Sequence, residues 1–288
     1  MAVYKRTYKT YSGQLTPLRR RWLVITRYSL NEVFASRVSV VLFVICLVPV
    51  LLSAVFVYVV NSDTARVLLN MQGAALVAID NKFFFKMLEI QGWLALFLTA
   101  WVGPVMISPD LTNNALPLFL SRPVSRAEYV IGKIAVLLIV LSAVTWVPIA
   151  LLFFIQAQVS SAPWMWSHLY VLPGVLIGAM LWISVLSLVA LAVSAFVKWR
   201  IVATGLMVAV ILVPAGFGAV VSAVMRTQWG LLLNAPYVMT VIWMHLLRVP
   251  AMFETLPVAA AWLTPLAACA GCVFLLNRRI EARQVVRG

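Results

Sequence analysis

Apolar side chains along this chain come in runs of about twenty residues, rather than in the short stripes of a water-soluble domain. The cleanest run is Val38 to Val60, which has no charged residue and carries Pro49 near its middle. Further runs cover about Gly92 to Ser108 (extendable backward to Leu88), Ile134 to Gln156, Leu169 to Val197, Ile201 to Ala223 and Leu256 to Leu276. An α-helix needs roughly 20 residues to cross a hydrocarbon core about 30 Å thick, and these runs are close to that length. No water is present in lipid, so backbone N–H and C=O groups must pair within the element, which makes each run a helix. The pattern predicts an all-α integral membrane protein with six transmembrane helices. Gly103-Pro104, Pro148, Pro173-Gly174, Pro214 and Pro265 are compatible with it, because neighbouring helices re-satisfy freed backbone groups.

Two apolar segments have another character. From Leu18 to Ser36, at about 100° per residue, Leu18, Trp22, Ile25, Leu30 and Val33 share one side. Arg20, Arg27, Asn31 and Glu32 share the other, while Arg19 and Val24 break the pattern. A basic amphipathic helix leading into a span is expected to lie in the membrane interface, with a solvated basic lead-in as the alternative. Trp229 to Leu247 is interrupted by Asn234-Ala235-Pro236, and the piece after Pro236 is too short to cross. It is expected to form a re-entrant or interfacial hairpin before the last helix.

Composition agrees with this: 64% of the 288 residues are hydrophobic and 10% charged, against about a quarter charged in soluble domains. The net charge of +14 is arranged by side. Six spans put both termini on one side, and seventeen of the 22 Lys and Arg residues fall there, on the segment before the first span, the second–third loop, the fourth–fifth loop and the tail. Basic loops stay in the cytoplasm. Residues 1–37 are therefore expected to be a cytoplasmic N-terminal segment, 38–277 the six-span domain and 278–288 a cytoplasmic tail. Residues 61–90 and 224–255 are expected outside, in a protein of the inner (cytoplasmic) membrane. The charge reads as topology, not as a nucleic-acid surface. No cleavable signal peptide is expected, since the first apolar run comes after a long basic segment. Cys46, Cys269 and Cys272 lie in the runs and are expected to act as small buried hydrophobes, without a disulfide or metal site.

The segment Ser108 to Lys133 carries the densest local signals. Ser125 followed by Glu128 is a capping box, placed directly before the apolar run that opens at Tyr129. Upstream, Pro109-Asp110 can start a short helix and Pro117 should stop it. Leu118 to Pro123 then sets apolar residues beside Arg122, a composition suited to docking on another protein. An ordinary capped loop is the alternative reading.

This segment resembles the cytoplasmic loop of the type 2, exporter-type permeases of the ATP-binding-cassette transporters. In that family an acidic residue after the second span leads through a Leu-containing stretch to a Pro-Val-Ser-Arg-like turn, then a Tyr and a Gly-Lys at the mouth of the third span. Asp110, Leu116, Leu118, Ser121, Arg122, Pro123, Val124, Ser125, Arg126, Tyr129, Gly132 and Lys133 fit that pattern. Asn113-Asn114-Ala115 departs from the Gly-Thr-like pair of many members. The specific likeness spans about 25 residues, and the six spans, amphipathic lead-in and broken hairpin are similar across nearly the whole chain. The resemblance implies a coupling loop at 109–130, with Asp110 to Glu128 seated on a separate cytoplasmic nucleotide-binding ATPase subunit. It also implies a second permease chain, the same or related, in a surrounding of membrane lipids.

No G-x-x-x-x-G-K-[ST] phosphate loop occurs in the sequence, so no ATP site of that kind and no cofactor is expected in this chain. His168 and His245 are far apart and lack the spacing of a zinc helix, and no catalytic motif or paired carboxylates fall in the runs, so an enzyme is not expected. A secondary transporter or channel is the runner-up, but coupled ion transport needs ionisable groups inside the bundle, and the run cores lack them. Gly174-x-x-x-Gly178 could admit a closely packed helix. Large apolar groups, among them Trp93, Trp101, Met106, Phe153, Phe154 and Trp182, favour a hydrophobic or amphipathic substrate, since such a path cannot replace an ion's hydration shell.

Overall fold

The computed structural model describes residues 21–62, 78–104, 106, 126–160, 162–197, 199–250 and 256–285. Among these residues every regular element is helical. The order is α1 (Arg21–Ala35), α2 (Arg37–Asn61), α3 (Asn81–Val102), α4 (Arg126–Val144), α5 (Trp146–Val159), α6 (Ala162–His168), α7 (Val171–Phe196), α8 (Arg200–Met225), a 3-10 turn (Trp229–Leu233), α9 (Ala235–Leu246) and α10 (Val258–Val285). Six stretches are long and apolar enough to cross a membrane: α2, α3, α4 with α5, α6 with α7, α8, and α10 as far as Arg278. The chain has a multi-pass, membrane-protein-like helical architecture.

The bundle is built around α7, which touches α3, α4, α5, α8, α9 and α10. Two-thirds of the most apolar window is buried in α3 and in α7 (67% each), against 22% in α2, 17% in α8 and 11% in α10. Lipid is as apolar as leucine, so outer faces bearing Leu51, Val213 and Leu263 need no protein cover. Inside, Phe84, Leu88, Leu137, Leu141, Ile183 and Leu186 are fully buried. The spans alternate in direction. One end gathers Arg37, Lys133, Arg200 and Arg278, and the other gathers Lys82, Lys86, Arg226 and Arg248.

Several boundaries differ from the sequence reading, each for a local reason. α3 begins at Asn81, not between Leu88 and Gly92, so residues 81–90 belong to the bundle. Asp80 caps it, its carboxylate accepting from the N–H groups of Lys82 (3.0 Å) and Phe83 (3.2 Å). Its charged residues read as loop because they share one more exposed stripe, where Lys86 and Glu89 pair at 2.6 Å. Glu89 therefore lies within a span but on this stripe, and no charged residue of α3 is buried. The third run is two helices broken at Thr145 (φ −94°, ψ −92°). Pro148 has no N–H to offer the Val144 carbonyl and its ring crowds that oxygen, while the Thr145 hydroxyl donates to Leu141 O at 2.8 Å. The last helix continues past Leu276 to Val285. Cys46 is buried, but Cys269 and Cys272 are half-exposed free thiols.

α1 is helical, and its stripe is turned onto protein: Trp22, Ile25, Thr26, Ser29 and Val33 lie on the covered side, and Val24 and Tyr28 are exposed. It packs on α4. Gly132 permits the approach, since a Cβ there would meet Ile25 Cβ and Trp22 O at 3.1 Å. The Thr26 hydroxyl donates to Gly132 O at 3.1 Å across this contact.

Candidate functional site

The interrupted segment after α8 forms a hairpin within the bundle. Arg226 adopts a left-handed conformation (φ 49°) and turns the chain back. The 3-10 turn then lies on α8 by backbone contact, because a Cβ on Gly218 would strike Gly230 O and one on Gly230 would lie 2.6 Å from Gly218 O. Asn234 caps α9, its side-chain oxygen accepting from Tyr237 N at 3.0 Å. Ala235, at the tip, lines a small cavity with Trp182 and Val185 in the middle of α7. At its far end Leu246 meets Gly174, near the start of α7. The Gly174-x-x-x-Gly178 face of α7 therefore receives α9.

Two indoles tie this junction. Trp243 of α9 donates to Gly178 O of α7 at 3.1 Å, and Trp182 of α7 donates to Gly92 O of α3 at 2.9 Å. The rings meet edge to face with centroids 6.4 Å apart. Both ends of the Trp243 ring rest on glycine: a Cβ on Gly178 would lie 2.6 Å from its Cδ1, and one on Gly92 would lie 2.6 Å from its Cη2. A crevice lined by Glu89, Gly92, Trp93, Pro236 and Thr240 runs beside these rings. Asn81 closes the outer end of the junction by donating to Leu247 O and Arg248 O, both at 3.0 Å.

The opposite end of the bundle carries the described part of the expected coupling region. Glu128 lies in the first turn of α4, Tyr129 is buried, and Lys133 is buried with its ammonium 5.7 Å from the Tyr129 ring centroid. Arg126 opens α4. Asp110, Leu116, Leu118, Ser121, Arg122, Pro123, Val124 and Ser125 lie outside the described residues. α1 therefore leans on the helix that comes after the loop, one turn beyond Glu128.

The aromatic and sulfur residues expected to line a substrate path are not brought together. Phe153 is buried with Phe84 (5.8 Å) and Trp164 (5.5 Å) near the end where α5 stops. Phe154 beside it is exposed. Trp101 and Met106 sit at the other end, where Arg200 lies 4.6 Å over the Trp101 ring. Trp182 belongs to the central junction, with Trp93 on its exposed side. Trp243 and Glu89 are the members of this junction that sequence reasoning missed. Both sit in stretches that read as loop or hairpin, and the Gly spacing on α7 was the available signal. His168 stacks on Trp164 (centroids 4.5 Å) and His245 is exposed on α9. Among the described residues no group of three His, Cys, Asp or Glu could hold a metal ion.

These features define a multi-pass, all-helical membrane-protein architecture with a hairpin seated in its core. Neither known protein families nor curated proteins give a match to this chain.

Proposed function

We propose that the chain is the transmembrane permease subunit of an ATP-binding-cassette exporter, moving a hydrophobic or amphipathic substrate across the inner membrane with ATP hydrolysed by a separate subunit. The observation that carries this reading is the motif from Asp110 to Lys133, which runs into the first two turns of α4, where α1 lies across Gly132. A helix packed at that point would transmit a push on the loop to the bundle. Two permease chains and two ATPase chains would form the working unit. In this reading the end with Arg37, Arg200 and Arg278, made arginine-rich by the segment before α2 and the end of α10, faces the cytoplasm with both termini, and the hairpin enters from the opposite side. The asymmetry of Lys and Arg supports inward-facing termini.

Purification of the full chain from its own membranes in mild detergent tests the assignment. A stoichiometric ATPase should copurify, and Arg122→Ala with Glu128→Ala should weaken its retention while leaving insertion intact. A chain that purifies without any ATPase refutes the exporter reading. One observation favours a secondary transporter or channel instead: Glu89 lies partway along α3 and lines the crevice beside Trp182 and Trp243, and ionisable groups within a span mark ion pathways. Under that reading, uptake driven by an ion gradient persists without ATP and is lost in Glu89→Gln.

A further inference from the structure

α10 stands off from its neighbours toward the arginine-rich end. There Cys269, Val273 and Leu276 face Ile131 and Ile134 of α4 and Leu188 of α7 across a groove of about 890 Å³. The groove runs along α10 from Cys269 to Asn277, about 12 Å at 1.5 Å per residue. Beyond Cys269, Thr264, Pro265 and Ala268 face Trp182 and Val185 of α7 across a small cavity of about 30 Å³, which continues the same seam. The groove alone nearly matches the depth of one leaflet, half of a core roughly 30 Å thick. Its described walls are mostly apolar, with the polar side chain at one end. Asn277 lines the mouth, and the Arg278 guanidinium lies 4.6 Å over Phe274, itself a wall residue.

We propose that this groove holds the acyl chain of an anionic amphiphile, with its head at Asn277 and Arg278. Apolar walls of nearly leaflet length select a chain rather than a compact solute. A guanidinium spread on an aromatic face at the mouth keeps its edge N–H groups free for a phosphate or carboxylate. Charge at this end favours an anion, since Arg37, Lys133, Arg200 and Arg278 gather there against Glu32 and Glu128. The proposal deepens the exporter reading by naming the substrate class, and it rests on that reading only for the transport step after binding.

The full chain in phosphatidylcholine nanodiscs, with a diazirine-bearing lysophosphatidylglycerol as probe, provides the test. Cross-links mapped by mass spectrometry should concentrate on residues 127–134 and 269–277, above the equally exposed faces of α2 and α8. Unlabelled lysophosphatidylglycerol should compete about fivefold better than lysophosphatidylcholine, the ratio given by roughly 1 kcal/mol for one basic residue near the surface. Arg278→Gln should abolish that preference while keeping the labelling position, and Ala270→Trp should block labelling. Should Ala270→Trp fail to fold, Arg278→Gln and the competition decide alone. Even labelling over α2, α8 and α10, or equal competition by the choline lipid, overturns the proposal. ATPase copurification is read separately: its failure removes the exporter and leaves the groove, while even labelling with the ATPase present removes only the groove.

Discussion

Gly178→Ala tests whether the hairpin is held by the clamp on Trp243. The added methyl would sit 2.6 Å from Trp243 Cδ1 and 3.0 Å from Nε1. The indole has little room to retreat, because its Cη2 edge already occupies the place a Gly92 side chain would take. Inserting a methyl into a tight site costs about 1–3 kcal/mol. Displacing the ring also weakens its hydrogen bond to Gly178 O, worth about 0.6 kcal/mol inside a membrane protein. We expect Gly178→Ala to lose about 2–3 kcal/mol in SDS-induced unfolding from mixed micelles. Trp243→Phe should lose less, and the double variant should lose less than the sum, since a phenyl ring vacates the space the methyl needs. Gly205→Ala and Gly216→Ala on α8 are the controls. Their Cβ atoms would meet nothing within 4 Å, so each should be neutral or stabilising by up to about 1 kcal/mol through helix propensity. A Gly178→Ala protein within about 0.5 kcal/mol of the parent, or strict additivity with Trp243→Phe, refutes the clamp.

Four further outcomes can be checked. Gly132→Ala pushes Ile25 and the Trp22 carbonyl from α4, so limited proteolysis should cut within residues 21–35 faster than in the parent. Gln156→Leu removes the 2.8 Å hydrogen bond from Asn61 between α5 and α2 and should cost about 0.6–1.7 kcal/mol in the same unfolding assay. Arg226→Gly relieves a left-handed residue whose side chain is exposed and should stabilise by about 1 kcal/mol, whereas Arg248→Gly (φ 53°) also loses the contact 4.4 Å over Tyr170 and should gain less or nothing. For topology, cysteines at Ser62 and Arg279 probed with an impermeant thiol reagent in intact cells should label at Ser62 alone, and the reverse pattern overturns the orientation.

The sequence by itself determined the number of apolar helices long enough to span, because burial in lipid is a matter of length and missing charge, both local properties. It also located the interruption at Asn234-Ala235-Pro236, where an Asx cap and a proline near the helix start act within a few residues. Tertiary structure decided which charges lie in helices and which faces meet protein. Lys86 and Glu89 are tolerated in α3 because they pair on its exposed stripe, and no local rule separates that from a loop. The stripe of α1 looked like a membrane-facing surface, yet it is the side that fits α4, because Gly132 leaves room for Ile25. Apolar residues that face lipid and those that face a neighbour have the same composition, so periodicity could not tell the half-exposed Cys269 from the buried Cys46. Nor could it place Trp243 against two glycines more than sixty residues away in the chain, since only close backbone approach between α3, α7 and α9 creates that site.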